Sequence, residues 1–374
     1  MASRIASRLV ALAGLVAIPA VVAGTGVTAA TDPATVFPGD DWETATPEEV
    51  GLDPAVLDEI ALAAGGEWDS NCFAVVRHGR LIGEWYWNDT TPDSAQEVFS
   101  VTKSFTSALV GIAQAQGALE ITQPAADFIT GWQGTESEAV TIEDLLSNDS
   151  GREWSPGIDY TEMVQSPDRS AYSVGLGEMA EPDTLWAYNN SAIQTLSEVL
   201  QGATGIEPAE FAKTNLFGPI GMADTDMTTD DAGNTNTFFG LQSTCRDLLR
   251  FGLLYLNEGS WDGTEVIPAD YVHASVDRPS QPLSASYGYL WWLNRPGARV
   301  VDAVHTVSEG STEGTVEGPM VPGAPEDMYW ASGLAGQLIQ VDPGSDTVAV
   351  RLGPFGGDFP LDVLTRVAVD GVVD

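Results

Sequence analysis

The 374-residue sequence predicts an α+β fold: an antiparallel sheet flanked by terminal helices, with an all-helical subdomain inserted into it. Three observations lead there. Short β-branched and aromatic runs lie near both ends of the chain. Between them, over residues 100–281, the apolar spacing is mostly helical. Helix signals stand again outside the strands at either end. Strands far apart in sequence can share one sheet when the chain between them forms its own layer.

Residues 1–30 read as a signal peptide rather than as part of the fold. Arg4 and Arg8 give a basic start, residues 9–24 an apolar run, and Val27-Thr28-Ala29 or Thr28-Ala29-Ala30 small residues for cleavage. The run is shorter than the roughly 20 residues needed to span a bilayer, and Gly14 and Pro19 interrupt it. An uncleaved anchor is the alternative. Export predicts a secreted or cell-envelope location. The remaining boundaries are 31–99 for the first part of the α/β subdomain, 100–281 for the helical subdomain and 282–374 for the second α/β part.

In chain order, Asp53-Pro54 caps a helix running to about residue 64. Residues 72–76 and 81–87 read as strands around a His78-Gly79-Arg80 turn. A long helix follows Ser100 to about residue 116, and Thr141 caps a short helix. Residues 190–200, 208–216 and 244–256 are amphipathic, and Pro268 opens a further helix. Residues 287–293, 329–331, 337–341 and 347–352 read as strands, and 361–369 as a closing helix. Residues 294–327 are rich in Gly, Pro and Glu and lack a period, which suggests a functional or disordered loop.

The formal net charge is −39. Such a field repels nucleic acid and anionic membranes, so neither is expected as a partner. Cys72 and Cys245 either pair in an oxidising compartment or are two buried thiols.

The chemistry concentrates in three clusters. The first is Phe99-Ser100-Val101-Thr102-Lys103-Ser104. The chain has 15 basic residues, of which only Lys103 and Lys213 are lysines. Residues three apart on a helix share a face. An amine one turn from a hydroxyl can take its proton if burial lowers the lysine pKa, which arginine could not do. Ser100 and Lys103 therefore read as nucleophile and base. The second cluster is Trp186-Ala187-Tyr188-Asn189-Asn190, where a tyrosine can relay a proton and an asparagine can hold a substrate carbonyl. Its structural reading is a core aromatic followed by helix caps. The third is Trp330-Ala331-Ser332-Gly333-Leu334-Ala335-Gly336-Gln337, a strand edge able to add an N–H to that of Ser100 as an oxyanion hole, or a plain turn. Gly-x-Ser-x-Gly, phosphate-loop and dinucleotide signatures are absent. His78, His273 and His305 are scattered without metal-ligand spacing.

Together with Leu145-Leu-Ser-Asn-Asp-Ser-Gly151, Leu216-Phe-Gly-Pro-Ile-Gly-Met222, Arg246-Asp-Leu-Leu-Arg-Phe-Gly252 and Tyr287-Gly-Tyr-Leu-Trp-Trp292, these clusters resemble the β-lactamase-related serine hydrolases. That superfamily includes class C β-lactamases, D,D-carboxypeptidases, esterases and 6-aminohexanoate-dimer hydrolases, and the last branch is the most similar. The resemblance covers roughly residues 45–360 and implies a β-lactamase/transpeptidase-like fold. It also implies Ser100 as nucleophile, Lys103 as base, Tyr188 and Asn190 as a Tyr-x-Asn motif, and Ser100 and Leu334 as oxyanion-hole donors. Asn190, Ser332 and Gly333 would bind substrate. No cofactor and no metal is implied. The sequence departs at Ala331, where β-lactamases and D,D-peptidases usually carry Lys or His.

The expected function is an exported serine hydrolase acting on a small-molecule ester or amide. The alternatives are a β-lactamase or D,D-carboxypeptidase, and a catalytically inactive binding or sensor protein. With no cation at position 331, Arg351 on a later strand is the residue that could substitute. Trp186, Trp291, Trp292 and Trp330 would line an aromatic cleft or belong to the core.

Overall fold

The computed structural model describes residues 35–308, 310–356 and 359–373; the expected signal peptide lies outside them. Among the described residues, the largest sheet has six strands. They are β1 (Cys72–Arg77), β2 (Arg80–Tyr86), β3 (Trp292–Leu293), β4 (Tyr329–Gly333), β5 (Gln337–Asp342) and β6 (Thr347–Leu352). Their order is β2-β1-β6-β5-β4-β3 and every pairing is antiparallel. Cys72 lies opposite Leu352 and Arg77 opposite Thr347, so strands from both ends of the chain meet at the sheet centre.

Side chains alternate across a strand, and the two faces of this sheet bury different helices. Phe73 and Val75 point to a layer with Leu57, Ile60 and Ala64 of α1 (Pro54–Gly66) and Leu364 and Val367 of a closing helix, Leu361–Val369. Ala74, Val76, Ile339 and Val350 face the main core, with α2 (Thr102–Ala115) and residues 245–256. Both faces are covered, so β5 and β6 are buried along their whole length. The α1 start follows from its sequence: Asp53 Oδ1 accepts the Ala55 N–H at 2.8 Å, with Pro54 in the first turn.

Helix α2 is buried from Thr102 to Ala113, as befits a helix at the centre of a large core. The short helix α3 (Ile142–Ser147) has the expected cap, a reciprocal pair between Thr141 and Asp144. Two further helices matter below: α4 (Asn190–Gln194) and α5 (Cys245–Leu256). Gly252 lets α5 lie flat on the sheet, since a Cβ there would stand 2.4 Å from Val348 Cγ1. Cys72 and Cys245 form a disulfide, tying the start of β1 to the start of α5.

Several expectations need correction. Residues 100–281 are not wholly helical: Leu185–Ala187, Asp226–Met227, Leu241–Ser243, Ser260–Trp261 and Thr264–Glu265 are short strands. The helix expected over 190–200 is two abutting helices, α4 and Leu196–Thr204. Of residues 287–293 only β3 is strand. Leu290 has φ +60° and its N–H bonds to Leu146 O, so the aromatic run doubles back. The aperiodic stretch 294–327 contains Ala298–Val300 paired with Thr315–Glu317, and Thr306–Ser308 paired with Leu185–Ala187. These strands are defined by partners distant in sequence, which a local period cannot reveal.

The disulfide joins residues 173 apart. Closing so long a loop restricts the unfolded chain, an effect of up to about 5 kcal/mol. The Cys72→Ala/Cys245→Ala variant is expected to lose a large part of that stability in urea unfolding, and reductant is expected to shift wild type but not the variant. Equal midpoints for the two proteins would contradict this.

Candidate active site

Ser100 sits in a 3-10 turn, Phe99–Val101, that opens onto α2. The turn is strained: Phe99 has φ +48°, a conformation that costs a bulky residue about 1–3 kcal/mol. The Glu97 carboxylate holds it in place, accepting the Phe99 and Gly240 N–H groups, both at 2.9 Å, and Gln242 Nε2 at 2.6 Å. The result is a half-buried serine at a helix head, where backbone N–H groups lack intrahelical acceptors.

Lys103 follows one turn later, 1% exposed. Its Nζ donates to Ser100 Oγ at 2.7 Å and to Phe238 O at 2.9 Å. The Tyr188 ring centroid is 4.7 Å away. Burial pulls the ammonium pKa down to about 7, with the charge of Asp159 acting in the opposite direction. Near neutrality the amine is therefore in part uncharged, the form that can accept a proton.

Tyr188 is carried by Leu185–Ala187, the strand that pairs with Thr306–Ser308. Its ring stacks on Trp292 at 5.5 Å and meets Tyr287 edge-on at 6.0 Å. The phenol shares a hydrogen bond with Ser100, and burial pushes its pKa up. Asn189 is the α4 cap, with Oδ1 accepting the Ala192 N–H at 2.8 Å. Asn190 is different: its side-chain Oδ1 is buried and meets no donor, leaving an acceptor available beside Tyr188.

The third cluster also reaches the serine. A Cβ on Gly333 would lie 2.3 Å from Val98 O and 3.2 Å from Ser100 N, so only glycine lets the end of β4 press against the Ser100 turn. Ser332 precedes it, half-buried. Leu334 follows with an exposed side chain, and Ala335 turns the chain at φ +62°. Arg351 does not act as a spare cation. Its guanidinium donates to Ser70 Oγ (2.7 Å), Ala335 O (2.7 Å), Gly336 O (3.1 Å) and Trp68 O (2.9 Å), holding the turn from behind. Gln337 Nε2 adds bonds to Leu334 O at 3.2 Å and Gly353 O at 2.9 Å.

Thus Ser100, Lys103, Tyr188 and Gly333 converge from three separate segments. Of the four tryptophans expected to line an aromatic cleft, Trp186, Trp291 and Trp330 are interior and Trp292 lies against Tyr188. His78 sits in the β1–β2 turn against Asp346, and His273 and His305 pair with Asp277 and Asp302. Sequence reasoning missed Asp159. It lies in a π-helical turn, Ile158–Glu162, wholly buried. Its carboxylate accepts the N–H groups of Asn190 (2.6 Å) and Ser191 (3.2 Å) and the Ser191 hydroxyl (2.9 Å). The next residue, Tyr160, accepts a hydrogen bond on its phenol oxygen from the Asn190 side-chain amide. A π turn has no local signature, and its partners lie some 30 residues away, so neither residue stood out. Glu97 was missed because its other partners, Gly240 and Gln242, lie 143 and 145 residues away.

Comparison with known proteins agrees with this geometry. A family model described as Beta-lactamase matches residues 65–353. The 6-aminohexanoate-dimer hydrolase of Paenarthrobacter ureafaciens is 22% identical over 310 residues, covering 76% of this chain and 72% of that protein. A solved structure of a candidate 6-aminohexanoate-dimer hydrolase from Bacillus anthracis superposes with a TM-score of 0.63 at 19% identity, over 88% of this chain and 85% of that one. A candidate β-lactamase from Bacteroides dorei DSM 17855 gives 0.65 at 18% identity, over 82% and 92%. The two structures share the fold, and the family model spans most of the sequence: the chain belongs to the β-lactamase family.

Proposed function

We propose that this β-lactamase-family hydrolase cleaves ester or amide bonds through an acyl-enzyme on Ser100. The observation that carries the reading is the 2.7 Å contact between Ser100 Oγ and a buried Lys103 amine. In the reaction, Oγ attacks the substrate carbonyl as neutral Lys103 takes its proton. The N–H groups of Ser100 and Leu334 stabilise the oxyanion. Tyr188 relays the proton to the leaving group, and water then releases the acyl chain from Ser100. Asn190 Oδ1, buried without a donor, accepts a substrate N–H, and Ser332 and Gly333 form the strand edge along which the substrate lies. No cofactor is required.

The substrate preference follows from charge. A carboxylate beside the oxyanion hole gains from a nearby cation. Ala331 is buried and apolar, and Arg351 is committed to four other acceptors. This favours uncharged linear esters or amides over β-lactams and peptide termini. Export is supported by the basic and apolar pattern of residues 1–30 and by the Cys72–Cys245 disulfide, a bond typical of oxidising compartments. The acidic charge disfavours nucleic acid as a partner.

Ser100→Ala is expected to lower kcat/KM by more than about 10³-fold and to abolish labelling by a fluorophosphonate. Lys103→Arg, although it keeps the charge, is expected to fall within about tenfold of Lys103→Ala, because guanidinium cannot act as base. Labelling at another serine, or near-normal turnover in the arginine variant, contradicts the mechanism; no labelling of wild type would favour a binding protein.

The pH profile of kcat/KM is expected to rise with an acid limb near 7, as Lys103 loses its proton. Asp159 holds that pKa up, so Asp159→Asn is expected to move the limb to lower pH. A limb that does not move would leave Asp159 only its role in holding the Asn190 and Ser191 amides.

A p-nitrophenyl acyl ester is expected to be turned over at least about tenfold more efficiently than nitrocefin, given the loss of a charge-assisted contact. Faster nitrocefin hydrolysis would make the chain a β-lactamase and overturn the argument from Ala331.

A further inference from the structure

We propose that Asp144, Asp149 and Asp183 form a divalent-cation site of the calcium class, which fastens helix α3 to the segment that carries Tyr188. One carboxylate oxygen from each of the three lies within 4.8 Å of the others. Two oxygens bonded to a common calcium at about 2.4 Å can be at most about 4.8 Å apart, so the spread fits that ion. The ligand set is all oxygen, which suits calcium or magnesium rather than zinc or copper.

A second observation points to a ligand. Asp149 is 2% exposed, and its Oδ1 meets no hydrogen-bond donor. A buried carboxylate oxygen left without donor or counter-charge is costly. Among the described residues no lysine, arginine or histidine forms an ion pair with any of the three acids. A cation would supply what Asp149 lacks. Asp144 is suited to share it: Oδ2 accepts the Thr141 N–H at 2.8 Å in the α3 cap, which leaves Oδ1 for a metal. Asp183 is exposed, so that side of the site is open to the waters that complete calcium coordination.

The backbone sets the three in register. The Asp183 N–H bonds to Asp149 O at 2.9 Å, and the Asp149 N–H to Asp144 O at 3.2 Å. The neighbouring residue, Asn148, accepts the Ala187 N–H on its carbonyl and the Asn189 N–H on Oδ1. An ion at Asp149 therefore sits one residue from the bonds that hold both flanks of Tyr188. Its consequence is order in the Tyr188 segment, with no part in bond cleavage.

The test uses the full chain, stripped with a chelator and titrated with calcium chloride. Calorimetry is expected to give one site with a dissociation constant of about 10⁻⁴–10⁻³ M or tighter, as in extracellular calcium modules. Saturation is expected to raise Tm by about 3–6 °C, with magnesium less effective. Asp183→Asn, an exposed change that spares the core, is expected to weaken binding at least about tenfold and to remove most of the Tm response; Asp149→Asn is expected to remove both. Glu265→Gln, on a separate hairpin, is expected to behave as wild type. The proposal is overturned if millimolar calcium leaves Tm unchanged, or if Asp183→Asn and Glu265→Gln lose equal binding, which would mean diffuse attraction to an acidic surface. None of these readouts depends on Ser100 chemistry.

Discussion

The hydrogen bond between Lys103 and Ser100 governs much of this molecule, because it requires a lysine amine to be wholly buried. An ammonium ion away from water is expensive. The fold resolves the difficulty by lowering the amine pKa to about 7 and by giving Nζ two oxygen acceptors and an aromatic ring face. Those surroundings come from α2, residue 238 and Tyr188. A change in any of them alters both the packing and the basicity of one nitrogen.

The convergence of segments on that nitrogen is secured by buried polar side chains rather than by apolar packing alone. Glu97 holds the strained Phe99 turn, Asp159 gathers the amides at the head of α4, and Arg351 with Gln337 props the Ala335–Gly336 bend. Each satisfies backbone groups that loops would otherwise leave unpaired in the interior. Arg351 shows how far such scaffolding goes: its guanidinium donates to Ser70 Oγ and to the carbonyls of Trp68, Ala335 and Gly336, so the charge is spent on supporting the turn from behind.

How far the sequence could be read depends on where each signal resides. The caps at Asp53 and Thr141, the hairpin around Gly79 and the buried runs of β5 and β6 are local, and each appears where its pattern places it. The strands at 298–300, 306–308 and 315–317 were opaque, since they are short and gain their ladder only from partners elsewhere. The aromatic run at 287–292 misled for a related reason. Alternation suggested one strand, yet Leu290 adopts φ +60° to bond Leu146 O, a contact across more than 140 residues.

By itself the sequence determined the α+β class, the Ser100–Lys103 pair and the glycine-bearing strand, because helical spacing, side-chain chemistry and turn preferences act over a few residues. Only the tertiary structure decided that Asp159 approaches the lysine, that Arg351 turns away from the cleft, that three of four tryptophans are core, and that Cys72 meets Cys245. Those outcomes depend on which groups are brought together and desolvated when distant segments pack. Burial, unlike periodicity, is a property of the whole chain.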